Sequence, residues 1–535
     1  MGRAMIARKS MTAEAEAQSA SDPAPSVGPA TVPTADPMAA STAAPVGAAS
    51  AAPVAPTQKI FAGAGWLALS KVGSQIFSWA GTFYVATHLS PSDYGLSNLS
   101  TAFTEFAVIL TNLGIGTTLV QRQETDAVKA DNLFTATLGL GVLLALSALG
   151  LAYLGAWYFR DTRLVALTQF TAFIYLLSSL TIVPYNFLNR DMRFRERGLL
   201  DMYSIVASIS IQMLLARMGF GVWTLLWGSA VRFAVRLGMA FWYSGYRPRL
   251  RFSWALLKDD IAFSARLTLN WLLFVLKERS IPILIGRSFS IAQLGLLGFA
   301  GSLSGIPNLK IVQLLREVLL PLLSKRNQDP AAQLRGLRTA LKMMTLLILP
   351  IYLCGWHYGV DTLSLILPER WVPMFPLFEA LCLVQLWTVL ASIVSIYNTA
   401  QGKPGRSTWY EGAMALCIPI ATLACLHFRL IQLAHIWSAV GAGVFFLWFI
   451  WQFRTETSLV RGFLGQVFSA IGVSGALFAL DTLVSRHLSG AGMGWAMGRE
   501  MAWATLLARI ALFCAGYSLF LRLAHWEFLK GLRRK

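Results

Sequence analysis

The chain has 535 residues, 56% of them hydrophobic and only 13% charged, with a mean hydropathy of +0.56. A soluble domain carries about 25% charge to keep its surface wet, so most of this surface must face lipid, which excludes soluble enzymes and soluble nucleic-acid binders. The net charge of +19 then reads as the positive-inside rule acting on many loops, with no nucleic-acid partner implied.

Residues 1–58 are rich in Ala, Pro, Ser and Thr and lack apolar periodicity. They are expected to form a disordered cytoplasmic tail, because a cleavable signal needs an unbroken apolar stretch of about 7–15 residues after its basic start. From Gly65 on, apolar runs long enough to cross a bilayer as helices alternate with short polar breaks. They predict an all-α, polytopic membrane protein of about fourteen spans. The spans centre near Ser78, Phe106, Leu144, Leu176, Ser208, Phe233, Phe274, Ile306, Leu349, Trp387, Leu416, Gly441, Gly472 and Ile510.

Loop charge sets the orientation. Breaks after even-numbered spans carry clusters such as Arg190, Arg193, Arg195 and Arg197, or Arg247, Arg249, Arg251 and Lys258. Breaks after odd-numbered spans carry scattered charges such as Arg160, Arg163, Arg217, Arg287, Arg370 and Arg429. The even side is therefore expected to be cytoplasmic, with both termini there. The external breaks are short, so a membrane-embedded ligase or glycosyltransferase, which needs room for acid, base or cation groups, is disfavoured.

The five cysteines sit in apolar runs without Cys-x-x-Cys spacing, and the six histidines show no i, i+4 pairing, so neither disulfide nor metal site is expected. No phosphate-binding loop of the Gly-x-x-x-x-Gly-Lys-Ser/Thr type occurs, and no cofactor is implied. An internal repeat does occur at an offset of 200 residues. HLSPSDYGLSNL, from His88, aligns with SFSIAQLGLLGF, from Ser288, sharing Ser90/Ser290, Gly95/Gly295 and Leu96/Leu296. Six spans separate the copies, so both enter the membrane in the same direction, the pattern of a parallel repeat.

Ionisable residues inside spans normally face a bundle interior or water. Lys71 is in span 1, Glu105 in span 2, Arg232 and Arg236 in span 6, Lys277, Glu278 and Arg279 in span 7, Lys310 in span 8 and Glu379 in span 10. Arg232 and Arg236 stand at i, i+4 and can present two guanidinium groups to one anion. The excess of cations, Lys71, Arg232, Arg236, Lys277, Arg279 and Lys310, predicts a cavity for an anionic ligand. Glu278, Glu105 and Glu379 are candidate ion-coupling carboxylates, or else counter-charges for a buried cation. Arg266, Arg316 and Arg509 lie near span ends and are expected to reach the headgroup layer.

Between Gly65 and Gly405 the chain resembles the polysaccharide transporter (Wzx-type flippase) branch of the MOP superfamily, which also holds MATE drug exporters and lipid II flippases. The resemblance rests on LSPSDYGL, LGIGTTLVQR, NRDMRFRERG, GFGVWTL, YRPRLRFS, ILIGRSFSIAQLGLLGFA, LLPLLSKRNQDP and PERWVPMFPLFEAL in that order and spacing. It implies an N-terminal lobe over 59–252, a C-terminal lobe over 253–453, and two added spans over 454–535. It also implies translocation, by alternating access, of undecaprenyl-diphosphate-linked oligosaccharide repeat units across the bacterial inner membrane, without catalysis. Membrane lipids and polysaccharide polymerase or export machinery are the partners implied. Relatives often carry an Asp five residues before the Ile-Gly glycine, where this chain has Ile281, and Glu278 one turn earlier is the candidate substitute. A MATE-like exporter is the alternative, disfavoured because cavity cations would repel a cationic drug.

Overall fold

The computed structural model describes residues 57–112, 127–191, 193–254, 276, 279–324, 329–403, 405–488 and 499–533. Helix dominates and no strand occurs among the described residues. In chain order the helices are α1 (Thr57–His88), α2 (Pro91–Asn112), α3 (Ala127–Phe159), α4 (Arg163–Arg190), α5 (Phe194–Arg217), α6 (Trp223–Ser244), α7 (Ile291–Ser304) and α8 (Ile306–Ser324). They continue as α9 (Pro330–Ile366), α10 (Phe375–Ala400), α11 (Gly405–Ala424), α12 (Leu430–Gln452), α13 (Thr457–Leu488) and α14 (Arg499–Arg533). Eight segments among the described residues are long and apolar enough to cross a membrane by hydropathy. The fold is thus all-α and multi-pass.

Predicted spans 1–6 and 9–14 correspond to α1–α6 and α9–α14, and span 7 lies mostly outside the described residues. Span 8 differs. The sequence reads as one run centred near Ile306, but it is broken into α7 and α8 at Gly305. Pro307 follows two residues later; its ring lacks an N–H and crowds the preceding turn, which favours a break there.

Helix ends follow from local chemistry. Asp329 caps α9 by accepting from the Ala332 N–H at 2.9 Å, with Pro330 in the first turn. Gly245, at φ +62°, closes α6 in the left-handed region that a residue without Cβ adopts freely. At the same end, the Tyr246 hydroxyl donates to Asp131 Oδ1 at 2.9 Å and the Arg251 N–H donates to Thr135 Oγ1 at 3.0 Å, tying the segment after α6 to the start of α3. Burial and the Asp131 carboxylate both raise the Tyr246 pKa, so its hydroxyl keeps its proton.

Packing sorts the helices into two groups. In the first, α1 packs on α5, α3 on α4, α2 on α3 and α4, and α6 on α4 and α5. In the second, α10 is central, touching α7, α8, α9 and α12, while α13 and α14 lie against α9. Lipid supplies no hydrophobic drive between helices, so close packing of small residues carries much of the attraction. Gly81 of α1 faces Ile209 of α5, Gly228 of α6 faces Gln212 of α5, and Gly359 of α9 faces Phe378 of α10.

The two groups meet where α2 crosses α7. A Cβ on Gly95 would strike the Ile291 carbonyl, and a Cβ on Gly295 would strike the Pro91 carbonyl. The two contacts exchange under the 200-residue offset of the sequence repeat, so a local pseudo-two-fold runs through the crossing. Capping follows the same rule. The Ser90 N–H donates to Asp93 Oδ2 at 2.9 Å, and the Ser290 N–H donates to Gln293 Oε1 at 3.0 Å, while each serine hydroxyl accepts from the backbone N–H three residues on.

Candidate functional site

Around this crossing the groups are sealed at the odd-numbered face, the end of the molecule that carries the breaks after odd-numbered spans. Trp371, in the short 3-10 turn Glu369–Met374 between α9 and α10, is fully buried and donates its indole N–H to the Ala86 carbonyl of α1 at 2.9 Å. Its ring lies 5.2 Å from Tyr94 on α2 and 4.7 Å from Phe299 on α7, and Tyr94 and Phe299 are 4.9 Å apart. Arg370 donates to the Thr87 carbonyl beside it. An aromatic trio and two side-chain-to-backbone bonds therefore close this end.

The cationic candidates described most fully are on α6. Arg236 lies 3.4 Å from Asp201 of α5, and its guanidinium stacks 4.2 Å from the Tyr185 ring of α4. The Tyr185 hydroxyl donates to Asp201 Oδ2 at 3.2 Å and accepts from Arg197 Nε at 3.0 Å. Arg232, one turn from Arg236, feels the positive charge of Arg236 and the negative charge of Asp201. One guanidinium thus pairs with the carboxylate, a second reaches it through the Tyr185 hydroxyl and a third feels only its charge. Arg236 Nε is buried and has no hydrogen-bond partner among the described residues. A buried donor without a partner is costly, so the cluster is not electrostatically satisfied by its described neighbours alone.

At 1.5 Å per residue, Arg232 stands about 13 Å along α6 from its odd-face end, and Asp201 about 10 Å along α5 from its even-face end. Arg279 lies on a helical stretch that ends at Ile285, which puts it about 9 Å from the odd-face turn at Gly286. Arg279 is half-buried and has interactions of its own. Lys71, Glu105 and Lys310 lie on α1, α2 and α8, but their side chains are outside the described residues, as are Lys277 and Glu278 altogether. Glu379, half-buried in the first turns of α10, is in electrostatic reach of His357 and Asp361 on α9.

That contact opens onto a second polar cluster, which corrects the expectation for Arg509. This residue does not reach the headgroup layer. Its Nη2 lies 2.7 Å from Asp481 Oδ2 on α13 and its Nη1 lies 2.9 Å from Asp361 Oδ2 on α9. His357 Nε2 is 3.1 Å from the same Asp481 oxygen, and its ring stacks on Phe478 at 4.3 Å. Neutralised from two sides, the guanidinium is more stable inside than snorkelling out. Arg316, by contrast, is exposed, and Arg266 lies outside the described residues.

Sequence reading counted Arg197 as loop charge and passed over Asp201, Asp361 and Asp481. The signal was present: Asp201 and Asp481 each interrupt an apolar run, which is costly unless a cation waits opposite.

A solved structure of the lipid II flippase MurJ, in an inward closed conformation, superposes with a TM-score of 0.65 at 14% identity, covering 85% of this chain and 98% of that one. An inward-facing multidrug resistance MATE family transporter of the MOP superfamily gives 0.54 at 16% identity over 74% of this chain and 95% of that one. The chain therefore shares its fold with these two membrane transporters. Residues 85–376, more than half of the chain, match the family described as polysaccharide biosynthesis protein, and the chain belongs to that family. Similar relatives include the succinoglycan biosynthesis transport protein ExoT of Rhizobium meliloti (strain 1021), 24% identical over 74% of this chain and 80% of its own length. The lipopolysaccharide biosynthesis protein WzxC of Escherichia coli (strain K12) is 21% identical over 62% of this chain and 67% of its own.

Proposed function

We propose that this protein flips undecaprenyl-diphosphate-linked oligosaccharide repeat units across a bacterial inner membrane for exopolysaccharide, capsule or lipopolysaccharide assembly. Residues 59–252 and 253–453 act as two lobes that rock about the α2–α7 crossing, with 454–535 as an appendage. Both termini lie in the cytoplasm, which makes the odd-numbered face external. The diphosphate rests against Arg232 and Arg236, with Lys71, Lys277, Arg279 and Lys310 as further contributors, while the polyprenyl tail stays in lipid. Glu278, Glu105 and Glu379 are the carboxylates through which an ion gradient would couple.

The observation that carries this reading is the arginine surplus on α6. Arg236 pairs with Asp201, Arg197 reaches that carboxylate through the Tyr185 hydroxyl and Arg232 senses its charge, which leaves a positive surplus around it. Such charge is costly against lipid and is offset when an anion enters. The family match and the transport relatives point to a lipid-linked glycan as that anion.

Charge reversal tests it. In a deletion strain complemented with the Arg232→Glu/Arg236→Glu variant, polymer export is expected to fall to the level of the empty vector and lipid-linked glycan to accumulate inside. Full export by that variant, at normal membrane abundance, would show the cationic mechanism to be wrong.

A further inference from the structure

Beside the seal, but outside it, a cavity of about 600 Å³ opens at the odd-numbered face. That volume is within the range of about 300–1,000 Å³ typical of small-molecule sites. Its floor is apolar, formed by Leu296 of α7, Leu377 of α10 and Leu430 of α12, each at most 7% exposed. Its rim is different. Phe289 stands before α7, and His427, Phe428 and Arg429 occupy the turn between α11 and α12, with the His427 and Phe428 rings 4.2 Å apart.

The polar groups are all able to donate. The Arg429 guanidinium is exposed and forms no ion pair among the described residues, and no Asp or Glu lines the cavity. Gln293 spends its amide oxygen on the Ser290 cap, so its NH₂ end is left for a ligand. Pro373 and Pro376 stiffen the wall contributed by the turn and α10. Aromatic faces above an apolar floor suit the C–H face of a sugar ring, and a guanidinium without a counter-charge suits a carboxylate on it. A lipid chain would use the floor but leave Arg429, Gln293 and His427 without a role.

We infer that this cavity is an exit subsite for an acidic sugar of the transported repeat unit, held between the rings of Phe289, Phe428 and His427 with its carboxylate on Arg429. The inference rests on the flippase reading. It has a mechanical corollary. Leu296 and Gln293 line the cavity while Gly295 between them makes the crossing with α2, so a saccharide seated here bears on the helix that must move for the odd face to open.

The test uses the full-length protein in lipid nanodiscs, with saturation-transfer NMR on a glucuronyl-glucose disaccharide and on cellobiose. Wild type is expected to bind the acidic sugar. Arg429→Gln should weaken that binding about tenfold while leaving cellobiose unchanged, and Phe428→Ala should weaken both. Acidic-sugar binding that is absent in wild type, or unchanged in both Arg429→Gln and His427→Gln, overturns the inference. Proteoliposomes separate this from the wider reading. If wild type flips a synthetic polyprenyl-diphosphate oligosaccharide but binds no acidic disaccharide, the subsite falls and the flippase stands. If it binds the disaccharide through Arg429 but flips nothing, the acidic-sugar site stands while the flippase reading, and with it the exit role, falls.

Discussion

Arg509 and Asp481 form a two-pronged ion pair between neighbouring helices, with Nε at 3.0 Å from Oδ1 and Nη2 at 2.7 Å from Oδ2. Asp481 is 6% exposed, so removing Arg509 leaves its buried charge with His357 alone. Arg509→Met alone should destabilise the docking of α13–α14 on α9 by up to about 3 kcal/mol, toward the cost of orphaning a buried charge, and Asp481→Asn by less, because Asp361 still faces Arg509. The double variant Arg509→Met/Asp481→Leu should recover most of the loss. Thermal unfolding in detergent checks both, and equal melting of single and double variants would contradict the pairing.

At the crossing, neither Gly95 nor Gly295 has room for a side chain. Gly95→Leu is expected to push α2 from α7, unseal the odd face and expose position 98 behind it. In an Asn98→Cys background, labelling by a membrane-impermeant maleimide applied at that face should rise on adding Gly95→Leu. No change would mean that the crossing is not part of the seal.

The arginine cluster on α6 predicts an asymmetric response. Asp201→Asn removes the one carboxylate and leaves Arg236 unpaired, so retention of a diphosphate lipid should tighten and its turnover slow. Stability should fall as well, because Arg236 loses its ion-pair partner. Binding of a polyprenyl diphosphate by purified protein, measured beside export, separates the two effects.

In the turn after α3, Arg160 is the one non-glycine residue with positive φ among the described residues, at +59°. An L side chain there costs about 1–2 kcal/mol, so Arg160→Gly should raise the melting temperature by a degree or two and Arg160→Val should lower it.

One turn further on, the side chain of Arg163 donates to Asp161 and holds its carboxyl below the ordinary aspartate range. The resulting stabilisation is complete above the unfolded value of about 3.9 and is lost as pH falls through the lower folded value. Asp161→Asn should erase this acid-limb dependence, read as hydrogen exchange in the α3–α4 turn between about pH 6 and pH 3. The effect should be small, since Arg163 is largely exposed.

The spans were legible because apolar length against bilayer thickness is a local property. What escaped was either a break inside an apolar run or a pairing between distant parts of the chain. The interruption at Gly305 hides in a continuous hydrophobic stretch. Arg509 reads as a helix-end anchor until Asp361, 148 residues earlier, is brought against it. Trp371 carries no periodic signal, yet its indole reaches Ala86 across 285 positions. Arg232 and Arg236 could be paired from spacing alone, whereas their neighbours Arg197, Tyr185 and Asp201 come from two other helices.

The reciprocity of Pro91 with Gly295 and of Ile291 with Gly95 describes how one ancestral half would have embraced an identical copy of itself. In such a self-paired ancestor every substitution strikes twice, and an asymmetric cargo meets a symmetric host. A single polypeptide carrying both copies is free of that constraint. Asp93 and Gln293 now perform the same capping with different charge, the kind of drift by which a carrier acquires a front and a back.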